Sequence, residues 1–151
     1  MPIPSKVIRV EIAAHAHATE DVERVKQAIL NIIPETLHSK VEFSTYTLEG
    51  HYNNPITRIM VRLEGEAAEE FIRGLAEKLD GESKKIIAMM LENRYDAKQG
   101  RFYLRFSKQD AFLGELRFYD GDDVIHVMIN LRGTPRLEKA IKVLKELGLV
   151  S

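Results

Sequence analysis

"KVEFSTYTLEGHYNNPITRIMVRLEG", residues 40–65, is the stretch on which the fold turns. From Lys40 to Leu48, and again from Ile56 to Glu64, apolar and polar side chains alternate, the period-2 signature of strands with one covered face. Between them stand Gly50, Asn53, Asn54 and Pro55, all residues with turn chemistry, and Pro55 biases Asn54 toward an extended backbone. The expected element is an antiparallel hairpin with a long connection.

Upstream, "VIRVEIA" at residues 7–13 sets Ile8, Val10 and Ile12 on one parity and Arg9 and Glu11 on the other, which predicts a half-buried strand. Thr19 has the chemistry of an N-cap, with Glu20 and Asp21 favourable at a helix start. Val22, Val25, Ile29 and Ile32 then recur at helical spacing until Pro34 closes the segment. Downstream, Gly65 breaks the second hairpin strand. Ala68, Phe71, Ile72, Leu75 and Leu79 form the stripe of a second helix, Asp80-Gly81 stops it, and Ile86, Ile87, Met90 and Leu91 mark a third that ends before Gly100.

Three further strands are expected at Arg101–Phe106, Glu115–Tyr119 and Val124–Arg132, the last two joined by a tight turn at "DGDD", residues 120–123. Thr134 and Pro135 suit the cap and first position of a final helix whose apolar side is Leu137, Ile141, Val143, Leu144 and Leu147. The order β-α-β-β-α-α-β-β-β-α, without linkers or repeats, predicts an α+β fold: a mostly antiparallel sheet with helices packed on one face.

A chain of 151 residues with 44% hydrophobic content is the size of one domain with a real core, so residues 1–151 are read as a single unit. The longest apolar runs fall far short of the roughly 20 residues that cross a bilayer. No signal-peptide pattern opens the chain, so a cytoplasmic protein without membrane partners is expected. The absence of cysteine excludes disulfides, thiolate metal sites and a cysteine nucleophile. A net charge of −1 gives no overall pull toward nucleic acid, so a basic surface has to come from how the charges are arranged.

That arrangement is uneven. With the more apolar parity of each strand assigned to the helix-covered face, the other parity reads Arg9, Glu11, Arg58, Arg62, Arg101, Tyr103, Arg105, Arg117, Tyr119, His126, Asn130 and Arg132. Seven of the eleven arginines sit there. Most lysines lie on helices beside glutamates, as in "AIKVLKELG". Arginine and tyrosine in a flat array suit phosphate contacts and base stacking, as in single-stranded RNA binders. A second reading fits equally well: arginine stems cover apolar neighbours, Glu42, Glu64 and Glu115 pair with them across strands, and the face is solvated or covered in a homodimer.

Other constellations are weaker. His15 and His17, at i and i+2, together with His126 raise a three-imidazole metal site, against which stands the lack of an acidic residue at ligand spacing. Asp122 and Asp123 read as solvated turn residues. No phosphate loop, nucleophile elbow or His-Glu helix motif is present, so no catalytic residue or cofactor is assigned.

"ATEDVERVKQAILNIIP", "LEGHYNNPI", "YLRFSKQDAFLGELRF" and "DDVIHVMINLRG" together resemble an archaeal family of RNA-binding proteins and predicted exosome subunits. The resemblance runs over roughly residues 7–132. It implies an RNA partner, a link to RNA processing or degradation by the exosome, and a fold like that of the 5S rRNA-binding ribosomal protein and the double-stranded-RNA-binding domain. The expected α-β-β-β-α order over residues 83–148 is the order of that domain. Its lysine cluster at the last helix is only loosely matched by Arg136, Lys139 and Lys142, which Glu138 interrupts. In "SKQDAFLGE", residues 107–115, Lys108 and Gln109 are candidate donors to phosphate or base, beside a short packed connection made by Ala111, Phe112 and Leu113.

The expected function is non-catalytic RNA binding. The candidate residues are Arg9, Arg58, Arg62, Arg101, Tyr103, Arg105, Arg117, Tyr119 and Arg132 on the sheet, Lys108 and Gln109 after it, and His51 and Asn53 on the rim of the hairpin loop. The alternatives are a protein–protein adaptor that uses the sheet face, for example on the exosome, and a metal-dependent phosphoesterase built on the three histidines.

Overall fold

The structure is a computed structural model that describes residues 5–49 and 54–151. Alternation at the start of the chain produces strand β1 (Val7–Ala16), in which Val10, Ile12, Ala14 and Ala16 are buried. Helix α1 (Val22–Ile32) follows, capped by Asp21, whose carboxylate accepts from the Glu23 amide at 2.9 Å. The cap therefore lies two residues beyond Thr19. A 3₁₀ helix (Glu35–Lys40) takes in Lys40, read as the first residue of the next strand, and β2 begins later, as Phe43–Glu49. Strand β3 (Pro55–Glu64) pairs with β2 antiparallel, from Phe43 opposite Val61 to Glu49 opposite Pro55. The hairpin is as expected; Gly50, His51, Tyr52 and Asn53 lie outside the described residues.

Helices α2 (Gly65–Lys78) and α3 (Gly81–Arg94) come next, the second capped by Asp80 through the Ser83 amide at 2.8 Å. Strand β4 (Arg101–Ser107) leads into a five-residue helix, α4 (Lys108–Phe112), then β5 (Val124–Leu131) and α5 (Leu137–Glu146). Five strands form one antiparallel sheet in the order β2-β3-β1-β5-β4. The α+β class is as read from the sequence.

Three local expectations are corrected. Residues 115–119 do not form a strand: they run beside β4 with a single bridge, Phe106 to Phe118, flanked by bonds from the Ser107 amide to the Arg117 carbonyl (2.8 Å) and from the Tyr119 amide to the Arg105 carbonyl (3.2 Å). The second half is therefore α-β-α-β-α, not the order of the double-stranded-RNA-binding domain. Thr134 does not cap α5; it is buried, and the Tyr95 hydroxyl lies 2.7 Å from its carbonyl oxygen and 2.6 Å from its Oγ1.

Two compact units divide the chain. One comprises residues 1–10, 63–103 and 128–151; the other comprises 11–62 and 104–127. In the first, Phe71, Ile72, Leu75, Ile87, Leu91, Phe102 and Leu144 are fully buried, and α3 packs against α5. Gly100, at φ +70°, is required there, because a Cβ would stand 2.7 Å from the Leu131 carbonyl oxygen, whose amide bonds back to Gly100. In the second, Ile12, Ile29, Ile32, Leu37, Ile59, Leu104 and Phe106 are fully buried, each such side chain contributing about 1.5–3 kcal/mol. Helix α1 packs on α4 there, joined by Asn31 Nδ2 to the carbonyls of Ala111 and Phe112 at 3.0 and 3.1 Å. Among the described residues no helix is long and apolar enough to cross a membrane.

Candidate nucleic-acid interface

Strand parity fixes which side chains leave the core. In β3, Ile59, Val61 and Leu63 are buried while Arg58 is half-buried and Arg62 exposed; in β4, Phe102, Leu104 and Phe106 are buried while Arg101 and Arg105 are half-buried and Tyr103 is exposed. A period of two sends alternate residues to opposite faces, so in each unit these arginines, and Tyr103 in the unit of residues 63–103, point away from that unit's core, as expected.

In the unit of residues 11–62 and 104–127, four basic groups stand on that face of four consecutive strands: Arg58 on β3, His15 on β1, His126 on β5 and Arg105 on β4. A guanidinium nitrogen of Arg58 lies 3.3 Å from Nε2 of His15. Since a guanidinium only donates, His15 accepts there and is the neutral tautomer with its hydrogen on Nδ1. Burial, then the charges of Arg58, His17 and Lys108, hold its imidazole below the usual histidine range. His126 is held down in the same way, by burial and then by Arg105, Arg58 and His15. Arg105 donates from Nη2 to the Gly121 carbonyl, and its Nε is shut away from solvent without a hydrogen-bond partner among the described residues.

Two arginines of the same unit are partly neutralised. Arg62 pairs with Glu11 at 3.4 Å, and Arg117 with Glu115 at 3.0 Å, both at accessible positions where such pairs contribute little stability. Tyr119 is exposed, its ring against Gly121, where a Cβ would collide with it. In the other unit, Arg9 and Arg101 are half-buried, Tyr103 is half exposed, and Arg132 donates from Nε to the Ser5 carbonyl at 3.1 Å.

Lys108 behaves otherwise than the sequence suggested. Its side chain is 4% exposed, and its ammonium bonds to the His15 carbonyl at 2.8 Å, to Glu20 at 2.8 Å and to Asp123 at 2.7 Å. Three N–H groups have three partners, so none is left for a phosphate. Gln109 Nε2 donates to the other carboxylate oxygen of Asp123 at 2.9 Å. Burial pushes the Asp123 carboxyl up, but the hydrogen bonds from Lys108 and Gln109 and the charges of Lys108 and His17 outweigh it and hold the group below the usual carboxylate range. Asp123 is thus the counter-ion of a buried lysine rather than a solvated turn residue.

The start of α1 and helix α4 line a cleft of about 340 Å³ with Thr19, Glu20, Asp21, Arg24, Lys108, Gln109 and Phe112. Glu20 and Asp21 balance Arg24 and Lys108, and Arg24 is already stacked on Phe112 at 4.6 Å. This cleft has no cationic excess. Among the described residues no three His, Asp or Glu side chains are placed to hold a metal ion. His51 and Asn53 lie outside the described residues.

A family model described as RNA binding matches residues 9–131. The chain belongs to this RNA-binding family. An RNA-binding protein of Pyrococcus abyssi is 35% identical over 91% of the chain and 90% of its own length. An uncharacterised protein of Methanocaldococcus jannaschii is 34% identical over 92% of the chain and 97% of its own length. Among solved structures, a protein from Archaeglobus fulgidus superposes with a TM-score of 0.78 at 35% identity, covering 94% of this chain and 99% of that one. The α+β fold of this RNA-binding family is thus shared along almost the whole chain.

His15 was missed as a partner of the arginines. Its face was legible, because it shares the odd parity of Arg9 and Glu11 once β1 is extended past Ala13 to Ala16, but its partner was not.

Proposed function

We propose that this protein binds single-stranded RNA through the open face of its sheet, without catalysing a reaction on it. The observation that carries the reading is the row Arg58, His15, His126 and Arg105, half-buried on the face opposite the core. Half-burial matters because a cation stripped of part of its water attracts a phosphate more strongly than one fully in solvent. The family match supports RNA as the ligand. Arginine contacts set affinity, and Tyr103 and Tyr119, 50% and 48% exposed, offer rings on which unpaired bases stack. In the other unit Arg9, Arg101 and Arg132 are proposed phosphate contacts in their own right.

Equilibrium binding of a short unpaired oligonucleotide across a salt series tests this. Replacing Arg101 and Arg105 together by glutamine lowers the slope of log affinity against log salt by about 1.4, from about 0.7 per phosphate on a single strand. Unchanged affinity and slope would sink the proposal.

One observation favours a protein partner as a second reading. The edge strand β2 exposes Tyr46 and Leu48 at 50% and 43%, and an open edge is a template for another chain. Association with the exosome, implied by the family resemblance, belongs to this reading. A partner that stays bound through size-exclusion after RNase treatment supports it; one that is released with the RNA opposes it.

A further inference from the structure

Among the described residues the four basic groups of the row leave a charge unanswered. Glu11 is held by Arg62 at 3.4 Å, and Glu20 and Asp123 are held by Lys108 at 2.8 and 2.7 Å. The permanent charges that shift His15 or His126 are all cations, Arg58 from β3, Arg105 from β4 and Lys108 from α4, and the neighbouring imidazoles, His17 for His15 and His15 for His126, oppose a second proton in the same sense. Two permanently charged guanidiniums therefore flank two imidazoles that the protein keeps neutral. Neighbouring strands are about 4.8 Å apart, so an arginine side chain is long enough to reach over a short ring on the next strand. Arg58 already does so, at 3.3 Å from His15. Arg105 bonds to the Gly121 carbonyl and has no acidic partner among the described residues. An anion with several acceptor oxygens is what such a row lacks.

We infer that Arg58, His15, His126 and Arg105 form a seat for one phosphate group of a bound RNA strand, and that filling the seat draws a proton onto its imidazoles. The inference rests on the RNA-binding reading and adds to it a defined contact and a pH dependence. A phosphate beside His15 and His126 favours their charged forms and opposes the effect of the arginines, so their protonation range rises on binding. Linkage then requires proton uptake when RNA binds, and affinity rises as pH falls toward and through the ordinary histidine value. Either an internal phosphodiester or a terminal phosphate monoester supplies the same oxygens; the monoester carries up to a second charge near neutral pH.

The test follows the Cε1–H resonances of the histidines in the full-length protein, assigned with His15→Gln and His126→Gln variants. It uses inorganic phosphate, a 5′-hydroxyl oligonucleotide and the same oligonucleotide with a 5′-phosphate. The expected result is that RNA moves His15 and His126 toward the protonated shift and raises the pH at which they titrate. His38, whose Nε2 is held by the Leu30 and Ile33 carbonyls at 3.0 and 2.8 Å, stays in place. Affinity rises up to about tenfold per pH unit for each proton taken up as pH falls from 7.5 to 6, and the double variant flattens that profile. Tighter binding of the 5′-phosphate strand identifies the monoester as the source; equal binding identifies the diester. RNA binding of normal affinity with both histidines silent and a flat pH profile overturns the seat and leaves the RNA reading intact. Failure of both oligonucleotides to bind overturns the RNA reading; if inorganic phosphate still moves both rings, only the phosphate site survives.

Discussion

The ammonium of Lys108 lies 2.7 Å from Oδ1 of Asp123, and the lysine side chain is 4% exposed while the carboxylate is 37% exposed. The pair, with Glu20 and the His15 carbonyl both at 2.8 Å, ties α4 to the end of β1, the approach to α1 and the start of β5. Removing one partner of a buried pair leaves the other charges uncompensated, at roughly 3–5 kcal/mol when all are buried. The carboxylates here keep contact with water, so Lys108→Met is expected to cost about 2 kcal/mol. Urea unfolding measures it as a lower midpoint at unchanged slope. The salt slope of RNA binding is expected to stay the same, since Lys108 has no N–H left for phosphate.

Stability is expected to depend on pH through the two imidazoles of the row. Both are held below 6.5 in the folded protein, so the unfolded chain binds more protons as pH drops through that value. Stability therefore falls with pH below about 6.5. Urea midpoints at pH 7.5 and 5.5 measure the effect, and the His15→Gln, His126→Gln double variant is expected to reduce the difference.

Asp123 works in a lower window and on the opposite side of its titration. Its folded value is depressed, so its contribution is complete above the ordinary carboxylate value of about 3.9 and is lost as pH falls through the lower folded one. Asp123→Asn is expected to lower stability at pH 7 and to shrink the further loss between pH 4 and pH 2, both read from denaturant midpoints.

Tyr103 is half exposed on β4 between two arginines. Tyr103→Ala is expected to weaken oligonucleotide binding by about 1–3 kcal/mol, the worth of one stacked base. Tyr103→Phe is expected to retain it, because the ring and not the hydroxyl does the stacking. Thermal unfolding should move little for either variant at this exposed position, which separates a lost contact from a damaged fold.

Much of the fold was legible because strands and long helices repeat. The hairpin of β2 and β3, the stripe of Phe71, Ile72 and Leu75, and the outward parity of Arg58, Arg101 and Arg105 all follow from spacing. Helix α4 was hidden by its five residues, too few for a 3.6-residue period to be seen. One local sign of it existed: Ser107 stands three residues before Asp110, and its hydroxyl accepts from the Asp110 amide at 3.2 Å, the first half of a capping box. "ELRFY", residues 115–119, alternates like a strand, yet Glu115 and Arg117 bond to each other across two residues and one bridge is all that forms. The burial of Lys108 and the meeting of His15 with Arg58 depend on which strands become neighbours, which local periodicity does not encode.

The most direct test of the central claim, that RNA lies on the open face of the sheet, is photochemical crosslinking to a short unpaired RNA followed by mapping of the modified peptides. The expected adducts fall on residues 101–107 of β4 and on 117–119, with Tyr103 and Tyr119 the modified aromatics. Adducts confined to the helical lysines, such as Lys84 and Lys85 on α3 or Lys139 and Lys142 on α5, would contradict it.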